Sequence, residues 1–381
     1  MTTKPKSKLR IAFVVPHIFI TRDVLPSVIF SPGRLALDVT NEMVRQGADV
    51  TLFTPGPADT TLTNHTADLT YFKQELAGRG DSYMDLLKKH PFTFITLSRQ
   101  VQSELIAKAF SMANDGQFDI VHIYTNEEDT ALPFARLCNV PVVFTHHDPF
   151  NFLVKYKNLF PKYKDLNWLS MSYAQRSGMP DDTNWVGNIY HGLKTNEWTP
   201  NYATDSDYVA YLGRIVEPKG VHLAIEAVKK YNETADMPLK LKIAGKHYTG
   251  HSKDSYWQTQ IEPQLGNDIE YVGHIADQDE KNKFLAGAKA LIVPSTFSEP
   301  FGMVTIEALA SGTPVIGSRN GATPEIIKDG ETGFVVNPLD ISSAISKLDT
   351  IDRHMCRSDV EERFTLERMA RDHLDTYQTL I

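Results

Sequence analysis

Cysteine is nearly missing from this chain: Cys138 and Cys356 are the only two in 381 residues, with no CxxC pair or metal-type cluster. That excludes a disulfide framework and fits a reducing, cytoplasmic setting. Long apolar runs are missing too; none reaches the roughly 18 residues of a membrane-spanning helix. Positive charge is not in excess. A formal net charge of −8 removes bulk attraction to nucleic acid or anionic lipid as a driving force and leaves only a local basic patch. Neither GxGxxG nor GxxxxGK[ST] occurs, which argues against an NAD-dependent oxidoreductase and a P-loop enzyme. No DxD-like metal motif stands out, so no metal ligands are assigned.

What is present is an ordinary soluble composition, 41% hydrophobic and 23% charged, in a chain too long for one core. The N-terminus, MTTKPKSKLR then IAFVVPHIFI, has the outline of a signal peptide, but Pro16 and His17 interrupt the apolar run and no small-x-small site follows. A first sheet strand over residues 9–16 is expected instead. Lys4, Lys6, Lys8 and Arg10 then form a solvated tail, with peripheral membrane contact at most.

Strand and helix patterns alternate from there. A loop ending SPGR precedes a helix over 35–46, stopped by Gly47, and a strand over 49–53 completes a βαβ unit. Residues 57–79 read as an irregular surface excursion. A helix is expected over 98–113, and strands over 118–124 and 141–145, the latter running into His146, His147 and Asp148. Adjacent residues in an extended segment face opposite ways, so one histidine at most reaches the ligand side of the sheet. Strand patterns at 168–172 and 185–190 finish the first half, and KTNEWTPNYATDSD reads as a linker. The second half restarts with a strand over 208–212, the turn GRIVEPKG, and a helix carrying Val221, Ala224, Ile225 and Val228. A strand over 239–244, a helix over 255–265, a strand over 269–272 and a helix over 277–288 follow.

The stretch ALIVPSTFSEPFGMVTIEALASGTPVIGSRNGATPEIIKDGETGF (290–334) concentrates the chemistry. It predicts two strand-turn-helix cycles. The first helix is opened by Pro300 and Gly302 and stopped by Gly312; the second is capped by Thr323 with Pro324 as its first residue. Unpaired N–H groups at the first helix's start suit a phosphate, and Gly302 permits close approach. Glu299 and Glu307 flank that end and suit sugar hydroxyls. Arg214 and Lys219, five residues apart in one turn, are cations able to converge on a diphosphate.

The string EPFGMVTIEALASGTPVI with GATPEII and ETGF, together with G-R-x-x-x-x-K-G at 213–220, strongly resembles retaining GT-B glycosyltransferases of family 4, whose signature is Glu, seven residues, Glu. The resemblance implies an α/β fold of two Rossmann-like domains with parallel sheets facing across a cleft. The expected domains are 1–195, binding acceptor, and 206–355, binding a nucleotide-sugar. Residues 356–381 would be a C-terminal helix crossing back to the first domain.

Roles follow residue by residue. Glu299 would face the transferred sugar, with Phe301 and Gly302 donating from their backbones. Met303 and Val304 would donate to the diphosphate, Glu307 would hold the ribose, Arg214 and Lys219 would neutralise the leaving group, and Gly213 would belong to the donor-binding turn. Val272 and His274, in VGHI, match a base-reading loop, and His147 matches the histidine of PVV-x-T-x-H that contacts the donor sugar. The family often carries a double glycine in the first loop; here Gly33 alone is assigned. His146 and His122 read as structural.

The implied activity is transfer of a hexose from a nucleotide-sugar co-substrate, with no separate cofactor or metal, to an unidentified small-molecule, glycan or lipid acceptor. UDP-glucose is the expected donor, with GDP-mannose the alternative. Front-face attack is preferred over double displacement, because no unassigned carboxylate presents itself as a nucleophile. Two other classes are a nucleotide-sugar epimerase, whose characteristic acids are not matched, and a non-catalytic nucleotide-sugar sensor.

Overall fold

Side-chain alternation along the first strand decides how the N-terminal half is layered. In β1 (Arg10–Val14), Ile11 and Phe13 enter one apolar cluster and Ala12 and Val14 another, as expected of a sheet covered on both faces. A computed structural model describes residues 8–25, 28, 30–125, 128–203, 205–247 and 255–381. Lys4 and Lys6 of the basic tail lie outside the described residues. Arg10 is not part of a loose tail, for it pairs with Asp119 at 2.5 Å.

The chain divides into two compact units: Met1–Met171, Arg176–Ile189 and Leu366–Ile381 form one, and Ser172–Gln175 with Tyr190–Thr365 the other. In the first, β1 is joined by β2 (Asp49–Thr54), β3 (Thr63–Thr66), β4 (Ile120–Tyr124), β5 (Val142–Thr145), β6 (Asn167–Ser170) and β7 (Trp185–Asn188). The seven-stranded sheet runs β3-β2-β1-β4-β5-β6-β7, all parallel. Its helices are α1 (Ser31–Arg45), α2 (Thr70–Arg79), α3 (Tyr83–Lys89), α4 (Pro91–Asn114) and α5 (Val154–Leu159).

Two expectations fail here. SPGR is not a loop but the first turn of α1, because Pro32 occupies the start of the helix, where its missing N–H costs nothing. Residues 57–79 are not irregular: they supply β3 and α2. The Thr- and Asn-rich β3 is an edge strand, where an alternating apolar pattern is not required. Phe72 and Leu76 of α2 then bury against Phe94 and Val101 of α4.

The second unit holds β8 (Tyr208–Leu212), α6 (Val221–Asn232), β9 (Lys240–Ala244), β10 (Ile269–Gly273), α7 (Gln278–Ala286), β11 (Leu291–Val293), α8 (Met303–Ala310), β12 (Val315–Ser318), α9 (Thr323–Ile326), β13 (Gly333–Val336), α10 (Ile341–Ile345) and α11 (Arg353–Arg363). Its six-stranded parallel sheet runs β10-β9-β8-β11-β12-β13. The helix expected over 255–265 is instead a π-type turn (Trp257–Ile261) followed by a 3-10 turn (Glu262–Gln264), where Pro263 breaks the ladder. The cap of α9 is Ala322 rather than Thr323, which sits one residue inside.

The C-terminal segment, expected as one helix from 356, is two. Arg353 and Arg357 of α11 donate to carbonyls of Asn201, Ala288, Ala286, Trp198, Ala310 and Thr195, which hold that helix on the second unit. Phe364 ends it, and α12 (Leu366–Gln378) belongs to the first unit. There Leu366, Met369 and Tyr377 are buried beside α1, at roughly 1.5–3 kcal/mol per large side chain.

Candidate functional site

In the second unit the strand order reverses between β8 and β11. Connections leave those two neighbours in opposite directions and open a crevice at their C-terminal ends. The turns after both strands, and the one after β12, carry the expected residues. Backbone and side-chain bonds lace these turns together. Thr296 N donates to the Pro218 carbonyl (2.9 Å), Asn320 Nδ2 to the Ser295 carbonyl (2.9 Å), and Ala322 N to the Glu299 carbonyl (2.9 Å). Gly321, at φ +55°, has its Cα pressed on that backbone; a Cβ there would lie 2.3 Å from both the N and the O of Glu299.

Lys219 ends a 3-10 turn (Glu217–Lys219) and places its Nζ 2.5 Å from Glu299 Oε1. The other oxygen, Oε2, accepts from Ser295 Oγ at 3.1 Å. Both side chains are largely buried, at 16% and 14% exposure, so the pair is little screened. Arg214, earlier in the loop that follows β8, is exposed and makes no ion pair among the described residues. The structure thus brings Lys219 to Glu299 and leaves the Arg214 guanidinium open to solvent.

Gly302 caps α8 at φ +99°, and no side chain caps the helix, so the first N–H groups, those of Met303 and Val304, have no partner within it. A Cβ on Gly302 would come 3.7 Å from Glu299 Cδ, which puts the carboxylate beside the uncapped end. Phe301 is buried against His191 and Phe364, with ring centroids 4.8 and 6.1 Å away, and so holds the backbone entering α8. Inside the helix, Glu307 Oε1 accepts from Lys281 Nζ of α7 at 2.8 Å, and that ammonium lies 5.0 Å from the centre of the Trp198 ring. Sequence reasoning misses Lys281, Ser295 and Asn320. Ser295 has a local signal, four residues before Glu299 in a tight turn; Lys281 has none.

The base-loop residues follow the same edge. Gly213 N donates to the Ala244 carbonyl (3.0 Å), and Gly245 N to the Gly273 carbonyl (2.9 Å), tying β8, β9 and β10 together at the end of β10, where Val272 is the last residue but one. His274 is exposed, and its pKa is lowered by partial burial and by nearby Lys246.

Gly33 and His147 belong to the first unit. Gly33 is the third residue of α1 and is roofed by Phe30, whose ring lies 2.5 Å from where a Cβ would be. The two histidines after β5 diverge as expected: His146 is boxed by Phe150, Tyr156 and Phe160, while half-buried His147 packs edge-on to Tyr124 at 4.4 Å. His122 is buried, bonded to Tyr377 (2.5 Å) and Thr145 (2.8 Å).

Residues 194–354 match the family described as glycosyl transferases group 1, and residues 32–178 match glycosyltransferase family 4. YtcC of Bacillus subtilis (strain 168), provisionally named a glycosyltransferase, is 22% identical over 316 residues, 75% of this chain and 74% of that protein. Sucrose-phosphate synthase of Thermosynechococcus elongatus superposes with a TM-score of 0.71 at 18% identity, covering 98% of this chain and 99% of that one. The Anabaena protein HepE, solved with UDP and glucose, superposes at 0.67 with 16% identity over 98% and 100% of the two chains. At such identities the superpositions speak for the fold, and the family matches speak for the chemistry. The chain belongs to family 4 of the glycosyltransferases, group 1, and has their two-domain Rossmann-like GT-B fold.

Proposed function

We propose that this glycosyltransferase moves glucose from UDP-glucose to an acceptor hydroxyl with retention of configuration. The observation that carries the reading is the buried Lys219–Glu299 pair beside the uncapped start of α8. A diphosphate at that helix end would meet the Met303 and Val304 N–H groups, Lys219, and Arg214 from the open side of the turn. Glu307, with one oxygen held by Lys281, has the other for a ribose hydroxyl. HepE, which shares the fold, was solved with UDP and glucose, and that supports the choice of donor.

The acceptor oxygen attacks the anomeric carbon from the face the diphosphate leaves. The C1–O bond breaks with its electron pair going to the diphosphate, and the departing phosphate oxygen takes the acceptor's proton. Both oxygens of Glu299 already have partners, so it serves as an orienting acceptor for sugar hydroxyls rather than as a nucleophile. Cations and fixed N–H dipoles aimed at the leaving group supply the kind of stabilisation that dominates most catalysis.

Incubation with UDP-glucose alone should release UDP slowly, and Lys219→Ala should lower that rate by ~10²–10³ with a smaller effect on donor affinity. Wild-type rates in the variant would overturn the assignment. New UDP-sugars formed without acceptor would identify an epimerase, and binding without any turnover a sensor.

A further inference from the structure

Two apolar outcrops stand on the first unit at the C-terminal edge of its sheet. One begins α4, which at 24 residues spans about 36 Å, roughly twice the length of a five-residue strand, and so overshoots that edge with its N-terminus. One side of that overhang is buried through Phe94 and Val101, while Phe92 and Ile95 are 84% and 54% exposed. The other outcrop follows β5: Phe152, Leu153 and Val154, consecutive and 63%, 43% and 80% exposed.

An ionic clasp joins the two. Arg99, one turn beyond Ile95 on the same stripe of α4, pairs with Asp129 at 3.2 Å, and Lys155, next to Val154, pairs with the same carboxylate. Lysines border both outcrops. Residues 151–164 hold four lysines and no acid in a chain of net charge −8. Among the described residues Lys88, Lys157 and Lys162 are exposed and form no ion pair. Lysine is depleted in protein–protein interfaces, whereas an anionic lipid surface selects it beside projecting aromatic and aliphatic groups. We propose that this rim docks on an anionic lipid bilayer, its apolar side chains entering the headgroup region and its free lysines meeting lipid phosphates.

Flotation of the full chain with phosphatidylcholine vesicles, with and without phosphatidylglycerol, tests this. Binding should require phosphatidylglycerol and weaken as salt rises. The double variant Phe152→Ser, Val154→Ser should bind about tenfold or more weakly, since each change removes an inserting side chain, and Phe92→Ser should weaken binding too. Lys157→Glu with Lys162→Glu should abolish the lipid selectivity. Because these positions are exposed, thermal unfolding should not move. Met237→Ser and Leu339→Ser, on surface residues of the second unit 80% and 78% exposed, should bind like wild type. Failure of the wild-type chain to float with anionic vesicles at low salt would overturn the proposal. So would binding indifferent to the outcrop variants, or self-association lost in the same variants, which would make the rim a protein interface.

Discussion

Lys281 shows what one side chain outside the signature does for the site. Its ammonium fixes one oxygen of Glu307 while Trp198 faces it, so the carboxylate is held in one orientation. Hydrogen bonds to charged groups are worth roughly 1.5–3 kcal/mol, less for a partly exposed pair. Lys281→Met should therefore raise the dissociation constant for UDP about tenfold in a calorimetric titration, and Lys281→Arg should recover most of it. Unchanged affinity in the methionine variant would remove Lys281 from the site. The two glutamates and the cations of the 213–220 turn are readable in the sequence, because their spacing is local. Lys281 lies 26 residues before its partner, in a polar helix, and nothing short-range marks it. The pairing of Lys219 with Glu299 is equally invisible there, since it depends on two turns meeting across 80 residues.

At the scale of elements, the turns that hold the site depend on a backbone contact that only glycine allows. Gly321→Ala would have to separate the turn after β12 from the backbone of Glu299, besides adopting a left-handed conformation. Gly330, at φ +81° with open space for 4 Å around the place a Cβ would take, would bear the conformational cost alone, about 1–2 kcal/mol. Urea unfolding should show Gly321→Ala to be the more destabilised of the two, and UDP binding should be lost only in that variant. Equal effects would mean that the contact does not position Glu299. Elements are legible wherever an apolar period is strong: the pattern places β8 at its observed bounds, and the opening and stop of α8 fall where Gly302 and Gly312 put them. They are illegible where tertiary position overrides pattern, as in the polar edge strand β3, or where a helix is interrupted without losing its period, as between α11 and α12.

For the whole molecule, acid sensitivity should arise in the first unit. Burial lowers the pKa of His17 and of His373 to about 4 and that of His122 well below the usual value. His373 donates from Nδ1 to the Met369 carbonyl, and His122 links β4 to α12 through Tyr377. These histidines are neutral when folded and titrate near 6.5 when unfolded, so the unfolded chain binds more protons as pH falls. Their contribution is full above pH 6.5 and is lost as pH falls toward 4, by up to about 1.4 kcal/mol per pH unit for each histidine. Chemical unfolding followed in that window should show stability falling well before carboxylates titrate; a flat profile between pH 6.5 and 5 would contradict it.

The proposed reaction rests on where a diphosphate would sit. Crystals soaked with UDP should show its phosphates on the Met303 and Val304 N–H groups and Lys219 Nζ, with the ribose hydroxyls on Glu307. A nucleotide bound away from the start of α8 would contradict the account.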